Sequence, residues 1–186
     1  IHLDSNVFFD FVRFGALIQS SNNVTVVNSA VINVHERNFN AKSLNDLQAG
    51  FVVCGYKSGD VCADMTIQNN IAAGTMFYGF VLPGHDCDTT DENINGNVGH
   101  SVNGQGVTVF PSSSSQSICY TASHFAAYKN VEGGYYSYYD SHELRVMNAV
   151  LIDNTYSIIA QIGNGEEDIT YRVLIEDVHI FGETEA

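Results

Sequence analysis

A two-residue step, Asn or Asp followed by a β-branched residue, recurs along this chain at Asn6-Val7, Asn70-Ile71, Asn97-Val98, Asn130-Val131 and Asp177-Val178. Ala30-Val31 and Ala149-Val150 fill two further slots in similar apolar contexts. The aliphatic members lie 24, 40, 27, 33, 19 and 28 residues apart, which is the scale of one supersecondary unit per repeat. Short strand-like runs such as Val24-Thr25-Val26-Val27, Met65-Thr66-Ile67, Val107-Thr108-Val109 and Leu151-Ile152 sit inside the units, broken by Asn, Gly or Ser turns. A unit this short cannot bury its own apolar face, so successive units must stack. The expected fold is all-β: a right-handed parallel β-helix of about seven coils, with residues 1–186 as one segment and no linker.

The spacing divides the chain into coils at Ile1–Asn23, from Val24, Cys62–Leu82, from Asn93, His124–Asp140, Leu144–Gly163 and Ile169–Gly182. The second coil is interrupted by His35–Gly50, a loop expected to hold one helical turn. An acidic loop, Pro83–Glu92, precedes the fourth, and Pro111 with Ser112–Ser115 forms a surface excursion. Stacking is expected to hide Val, Ile and Phe along a common axis, and Asn at one corner of each coil can form a ladder of amides. Both ends of such a stack leave sheet edges open.

Seven Lys/Arg stand against 21 Asp/Glu, a net charge of −14. That deficit of cations weighs against nucleic acid, whose binding depends on neutralising phosphates, and against an anionic membrane surface. With 45% hydrophobic and only 15% charged residues, the chain is expected to fold rather than stay disordered. No apolar run reaches the roughly 18 residues of a membrane span, so no direct membrane insertion by this segment is expected. The opening isoleucine reads as a processed product or a piece of something larger.

Four cysteines (Cys54, Cys62, Cys87, Cys119) and one N-glycosylation sequon at Asn23 suit a secreted or cell-surface glycoprotein. The cysteine gaps contain no close Cys-x-x-Cys pair, which disfavours zinc. The sequence leaves three pairings of the four cysteines open; the expectation adopted is Cys87 with Cys119, whose loops would leave successive coils at one corner, and Cys54 with Cys62, which would close the loop Gly55–Val61.

Four histidines carry the candidate chemistry: His85, His100, His124 and His142, beside Asp86, Ser101, Ser123 and Glu143. Imidazole titrates near neutrality and can serve as a general base or metal ligand, yet histidines at corners also satisfy backbone groups. If the chain is an enzyme, His100, His124 and Asp86 are the catalytic candidates. Asp86, Asp88 and Asp91 offer a calcium loop without the residue order of an EF-hand, and a solvated acidic turn explains them as well. No cofactor is expected. Tyr135, Tyr136, Tyr138 and Tyr139 make a dense aromatic patch; alternation puts Tyr136 and Tyr138 on one face, where they can stack on sugar rings. Packing along the sheet is the plainer role.

Three segments carry a resemblance: Gln68-Asn69-Asn70-Ile71-Ala72-Ala73-Gly74-Thr75 leading to Gly79–Cys87; Asn97-Val98-Gly99-His100-Ser101; and Phe125–Asn130 with Gly133-Gly134. With Leu144–Asn154, these strings make the chain resemble the parallel β-helix repeat (PbH1) region of the fibrocystin and fibrocystin-L family, and more distantly the hyaluronan-degrading cell-surface proteins. The resemblance implies a large extracellular, membrane-tethered protein, often ciliary, with partners among its own other domains and extracellular proteins or glycans. It does not imply catalysis. Two function classes therefore stay open: a structural or adhesive scaffold, and a carbohydrate-active or glycan-binding chain acting on hyaluronan- or pectin-type polysaccharide.

Overall fold

The computed structural model describes residues 1–18, 21–35, 48–54, 64–82, 85–86, 93–109, 118–137, 143–160 and 172–182. Coil one is β1 (His2–Asp4), β2 (Val7–Val12) and β3 (Phe14–Leu17). Coil two is β4 (Val24–Val27), β5 (Ala30–His35) and β6 (Ala49–Val52); coil three is β7 (Met65–Gln68), β8 (Ile71–Thr75) and β9 (Tyr78–Leu82). A short β10 (His85–Asp86) precedes coil four, which is β11 (Ile94–Asn95), β12 (Val98–His100) and β13 (Gln105–Val109). Coil five is β14 (Ile118–Ser123), β15 (Ala126–Tyr128) and β16 (Gly133–Ser137); coil six is β17 (Glu143–Met147), β18 (Val150–Ile152) and β19 (Tyr156–Ala160). Coil seven contributes β20 (Arg172–Glu176) and β21 (His179–Phe181).

Strands of equal rank pair from coil to coil, so the chain is a parallel β-helix with three faces. The second strands form a seven-stranded sheet, β2-β5-β8-β12-β15-β18-β21, and the third strands a six-stranded one, β3-β6-β9-β13-β16-β19. The first face is two four-stranded sheets, β1-β4-β7-β11 and β10-β14-β17-β20. They meet where Gly96 N–H donates to the His124 carbonyl. Among the described residues only β10 runs antiparallel, with Asp86 opposite Ile118.

The register corrects part of the expected repeat. Val7, Ala30, Ile71, Val98, Ala126, Val150 and His179 share one column. The true second-slot residue is therefore Ala30, not Val31, the fifth is Ala126, and the seventh is His179 rather than Val178. Asn130-Val131 belongs to the next corner. Coil five starts at Ile118, six residues before the expected His124.

Orientation is corrected as well. The aliphatic member of the step faces outward, with Val7 70% and Ile71 42% exposed, while the Asn before it is buried: Asn70 0%, Asn97 3%. The core is filled instead by the alternate column, Phe8, Val31, Ala72, Gly99, Ala127 and Leu151.

Two columns of left-handed residues turn each coil. At the first corner stand Ser5, Asn28, Asn69, Gly96, His124, Asn148 and Asp177, with φ between 49° and 67°. At the second stand Asp10, Asn33, Gly74, Ser101, Lys129 and Asp153. Asn, Asp and Gly tolerate this conformation best, which is why they punctuate the sequence.

The expected amide ladder is two ladders. At the first corner Ser29 N–H donates to Asn70 Oδ1 at 2.9 Å, and Asn70 N–H and Nδ2 both donate to Asn97 Oδ1 at 3.1 Å. At the second, Val102 N–H donates to Asn130 Oδ1 at 3.0 Å, and Asn130 Nδ2 to Asn154 Oδ1 at 2.9 Å. A glycine column, Gly15, Gly50, Gly79, Gly106 and Gly134, lets the second and third faces approach closely. A Cβ on Gly50 would stand 2.7 Å from the Gly79 carbonyl oxygen and 2.8 Å from Ala72 Cβ.

Candidate functional site

On the outer surface of the seven-stranded sheet, β12 carries His100 and β15 carries Tyr128 in register. Their rings stack at 4.6 Å between centroids, 3° from parallel. His100 Nδ1 lies 3.2 Å from the Ser101 hydroxyl, which orients the imidazole and leaves Nε2 facing away. Partial burial lowers the His100 pKa below its ordinary value, so at neutral pH the ring is uncharged and able to accept a proton. The two outward columns of this sheet run Val7 to His179 and Phe9, Ile32, Ala73, His100, Tyr128, Ile152, Phe181. Neither contains Asp, Glu, Lys or Arg.

His124 and Asp86 do not join His100. His124 is exposed and is the left-handed corner residue of coil five, φ 49°. Asp86 pairs through its backbone at the far end of β14, and six residues of strand separate Ile118 from His124, about 20 Å. The three candidates therefore occupy three different parts of the coil. His142, Asp88, Asp91 and Tyr138 lie outside the described residues, as do Cys62 and Cys87 and with them the pairing of the cysteines. Cys54 and Cys119 are 1% exposed and neither is a free thiol. Asn23 is exposed at the corner before β4.

Of the tyrosine patch, Tyr135 turns into the core and is fully buried, while Tyr136 faces outward and is half-buried. Around it, the outer surface of the six-stranded sheet gathers Tyr78, Gln105 and Glu132 from coils three to five. Gln105 Nε2 donates to Glu132 Oε2 at 2.6 Å. Burial first, then the Glu132 and Tyr136 charges, push the Tyr78 phenol up to about 12. This cluster offers two aromatic surfaces, a carboxylate and an amide, the chemistry that binds sugar hydroxyls and rings. Its assembly could not be read from spacing, since Tyr78 and Gln105 come from other coils.

The sequence reading also missed Asp10 and His35. They belong to adjacent coils, His35 Nε2 lies 2.8 Å from Asp10 Oδ1, and Asn33 Nδ2 donates to the same oxygen at 2.8 Å. A carboxylate beside an imidazole is the core of a general-base pair. Among the described residues no hydroxyl or thiol is hydrogen-bonded to His35, so the pair has no nucleophile to activate.

Among the described residues no group of three His, Cys, Asp or Glu side chains is arranged to hold a metal ion, and no helix is long and apolar enough to cross a membrane. No protein-family model, curated protein or solved structure matches the chain.

Proposed function

We infer that this chain is a rigid extracellular spacer with an adhesive face, the β-helix segment of a fibrocystin-like cell-surface or ciliary protein. The observation that carries the reading is the pair of outward columns along the seven-stranded sheet that hold no Asp, Glu, Lys or Arg. In a chain with 28 charged side chains, two outward columns running through all seven coils hold none of them, and Val7, Phe9, Ile32, Ile71 and Phe181 are 37–70% exposed there. Exposed apolar surface of this extent is characteristic of contact surfaces. Other domains of the same chain and extracellular proteins or glycans are its partners, and the exposed Asn23 sequon fits a glycoprotein. The resemblance carried by the Gln68–Thr75, Asn97–Ser101 and Phe125–Asn130 strings supports the family part of this reading.

A second reading, a glycan-binding or carbohydrate-active chain, is favoured by the cluster of Tyr78, Gln105, Glu132 and Tyr136. The two are separated by incubating the chain with hyaluronan and polygalacturonate, with and without calcium, beside a Glu132→Gln control in that cluster. The scaffold reading expects no depolymerisation by the folded chain; product formation that disappears in the control overturns it. Loss of glycan retention in Tyr136→Ala/Tyr138→Ala would support the binding module, and unchanged retention would remove it.

A further inference from the structure

In the middle of the stack, two outward columns run along the six-stranded sheet. The first holds Tyr78, Gln105 and Gly133 in coils three to five, and the second Val81, Thr108 and Tyr136. Ala49, Val52 and Val81 are buried on this surface, and Tyr78 packs against them. Gln105 is only 9% exposed. Its register partner in coil five, Gly133, has no side chain to cover it or bond to it; a Cβ there would already stand 3.7 Å from Gln105 Cγ. A nearly buried amide thus lies between two half-buried tyrosines, with Glu132 exposed beside it.

Gln105 Nε2 donates to Glu132 Oε2 at 2.6 Å. A carboxylate cannot donate, so this contact fixes which end of the amide faces Glu132. Two acceptors are then left without a donor among the described residues, Gln105 Oε1 and Glu132 Oε1, and neither is sealed from solvent. The second Nε2 hydrogen of Gln105 is a third open position. Glu132 forms no ion pair with a described cation; Lys129, three residues before it, is the left-handed residue of the corner. Burial above all keeps the Tyr78 phenol protonated, its pKa pushed up to about 12.

Resting on the glycan-binding reading of this cluster, we propose that it takes an uncharged sugar and rejects uronate polymers. Sugar hydroxyls donate to Gln105 Oε1 and Glu132 Oε1, a sugar oxygen accepts from the free Gln105 N–H, and the C–H face of the ring lies against Tyr136. A hydroxyl both donates and accepts, which this amide and carboxylate together require. A uronate sets its carboxylate against Glu132 with no cation between them, a repulsion that grows as the contact loses water. An ammonium group only donates and leaves the Gln105 N–H without an acceptor. The cluster holds a single carboxylate among the described residues, whereas cleavage of a glycosidic bond ordinarily uses two; it binds sugar without hydrolysing it.

The test is isothermal titration calorimetry of the full chain with hexasaccharides: the neutral gluco-, manno- and galacto-oligomers, the uronates of polygalacturonate and hyaluronan, and a glucosamine oligomer. At least one neutral oligomer is expected to bind about tenfold or more tighter than either uronate. Glu132→Gln keeps a carbonyl to accept from Gln105 and removes the charge. It is expected to weaken the neutral ligand about tenfold, since a charged acceptor makes the stronger bond, and to strengthen the uronates. Tyr136→Ala is expected to abolish binding with the circular dichroism of wild type, while Tyr136→Phe, which keeps the ring, binds like wild type. Should Tyr136→Ala unfold, Glu132→Gln still decides. Uronates bound as tightly as neutral oligomers, or binding confined to the glucosamine oligomer, overturns the inference and leaves the glycan-binding reading standing. Neutral binding that neither Glu132→Gln nor Tyr136→Ala weakens overturns it as well. No binding of any oligomer overturns both.

Discussion

Asn70 and Asn97 sit one above the other inside the coil corner, the Asn70 Nδ2 donating to Asn97 Oδ1 at 3.1 Å. Each amide also bonds a backbone group of a neighbouring coil. The pair joins three coils through side chains that water does not reach. Polar side chains inside a solenoid thus act as rungs, because every buried donor must find an acceptor.

Asn97→Ala removes the acceptor for two Asn70 donors and the donor to the Ile67 carbonyl. Leaving buried groups unpaired costs about 1–3 kcal/mol apiece, so a loss of roughly 3 kcal/mol is expected from the urea midpoint. Asn6→Ala, at the half-buried end of the ladder, should cost less than about 1 kcal/mol. Equal losses would contradict the ladder.

Gly50→Ala drives a methyl into the Gly79 carbonyl and Ala72. Backbone cannot yield as a flexible side chain does, so destabilisation of about 3 kcal/mol, or failure to fold, is expected in thermal melts. Gly182, with nothing within 4 Å of an added Cβ, should accept Ala without a measurable shift.

The strands were legible where apolar and polar residues alternate, as in Val24–Val27 and Met65–Gln68, and the coil count followed from repeat length. Orientation was not. A β-branched residue after Asn looks like core, yet the left-handed residue before the Asn turns the chain so that Asn points in and Val or Ile out. His124 looked like chemistry for the same reason: it occupies a slot that Asn, Gly, Ser and Asp hold in other coils, a column visible only once the coils are aligned. The glycines at 15, 50, 79, 106 and 134 carry the clearest periodic signal, and aligning on them would have placed coil five correctly. The groups around Tyr136 and the Asp10–His35 contact depend on which residues of different coils fall side by side, which spacing alone does not fix while insertions vary in length.

His100 couples the outer sheet to pH. Burial lowers its pKa from the ordinary 6.5, so between the two values the unfolded chain binds more protons than the folded one. Its contribution is whole above pH 6.5 and is lost as pH falls through the lowered value. The thermal midpoint of wild type should therefore drop more between about pH 7.5 and 5 than that of His100→Phe. Parallel curves would contradict the burial argument.

Tyr120 is 1% exposed, burial pushes its phenol upward, and its hydroxyl has no partner among the described residues. Tyr120→Phe removes an unpaired polar group and keeps the ring, so stability should be unchanged or gain up to about 1 kcal/mol. A loss larger than that in chemical denaturation would place a bonded group against the hydroxyl.

A spacer must hold its ends at a fixed separation. Val7 in coil one and His179 in coil seven share one outward column, six rungs apart at about 4.8 Å each. Spin labels at Val7→Cys and His179→Cys, measured by double electron–electron resonance in dilute chain, should give a single narrow distance distribution centred near ~29 Å. A broad distribution, or a maximum displaced by more than the reach of the label arms, would contradict the continuous seven-coil rod on which the scaffold reading depends.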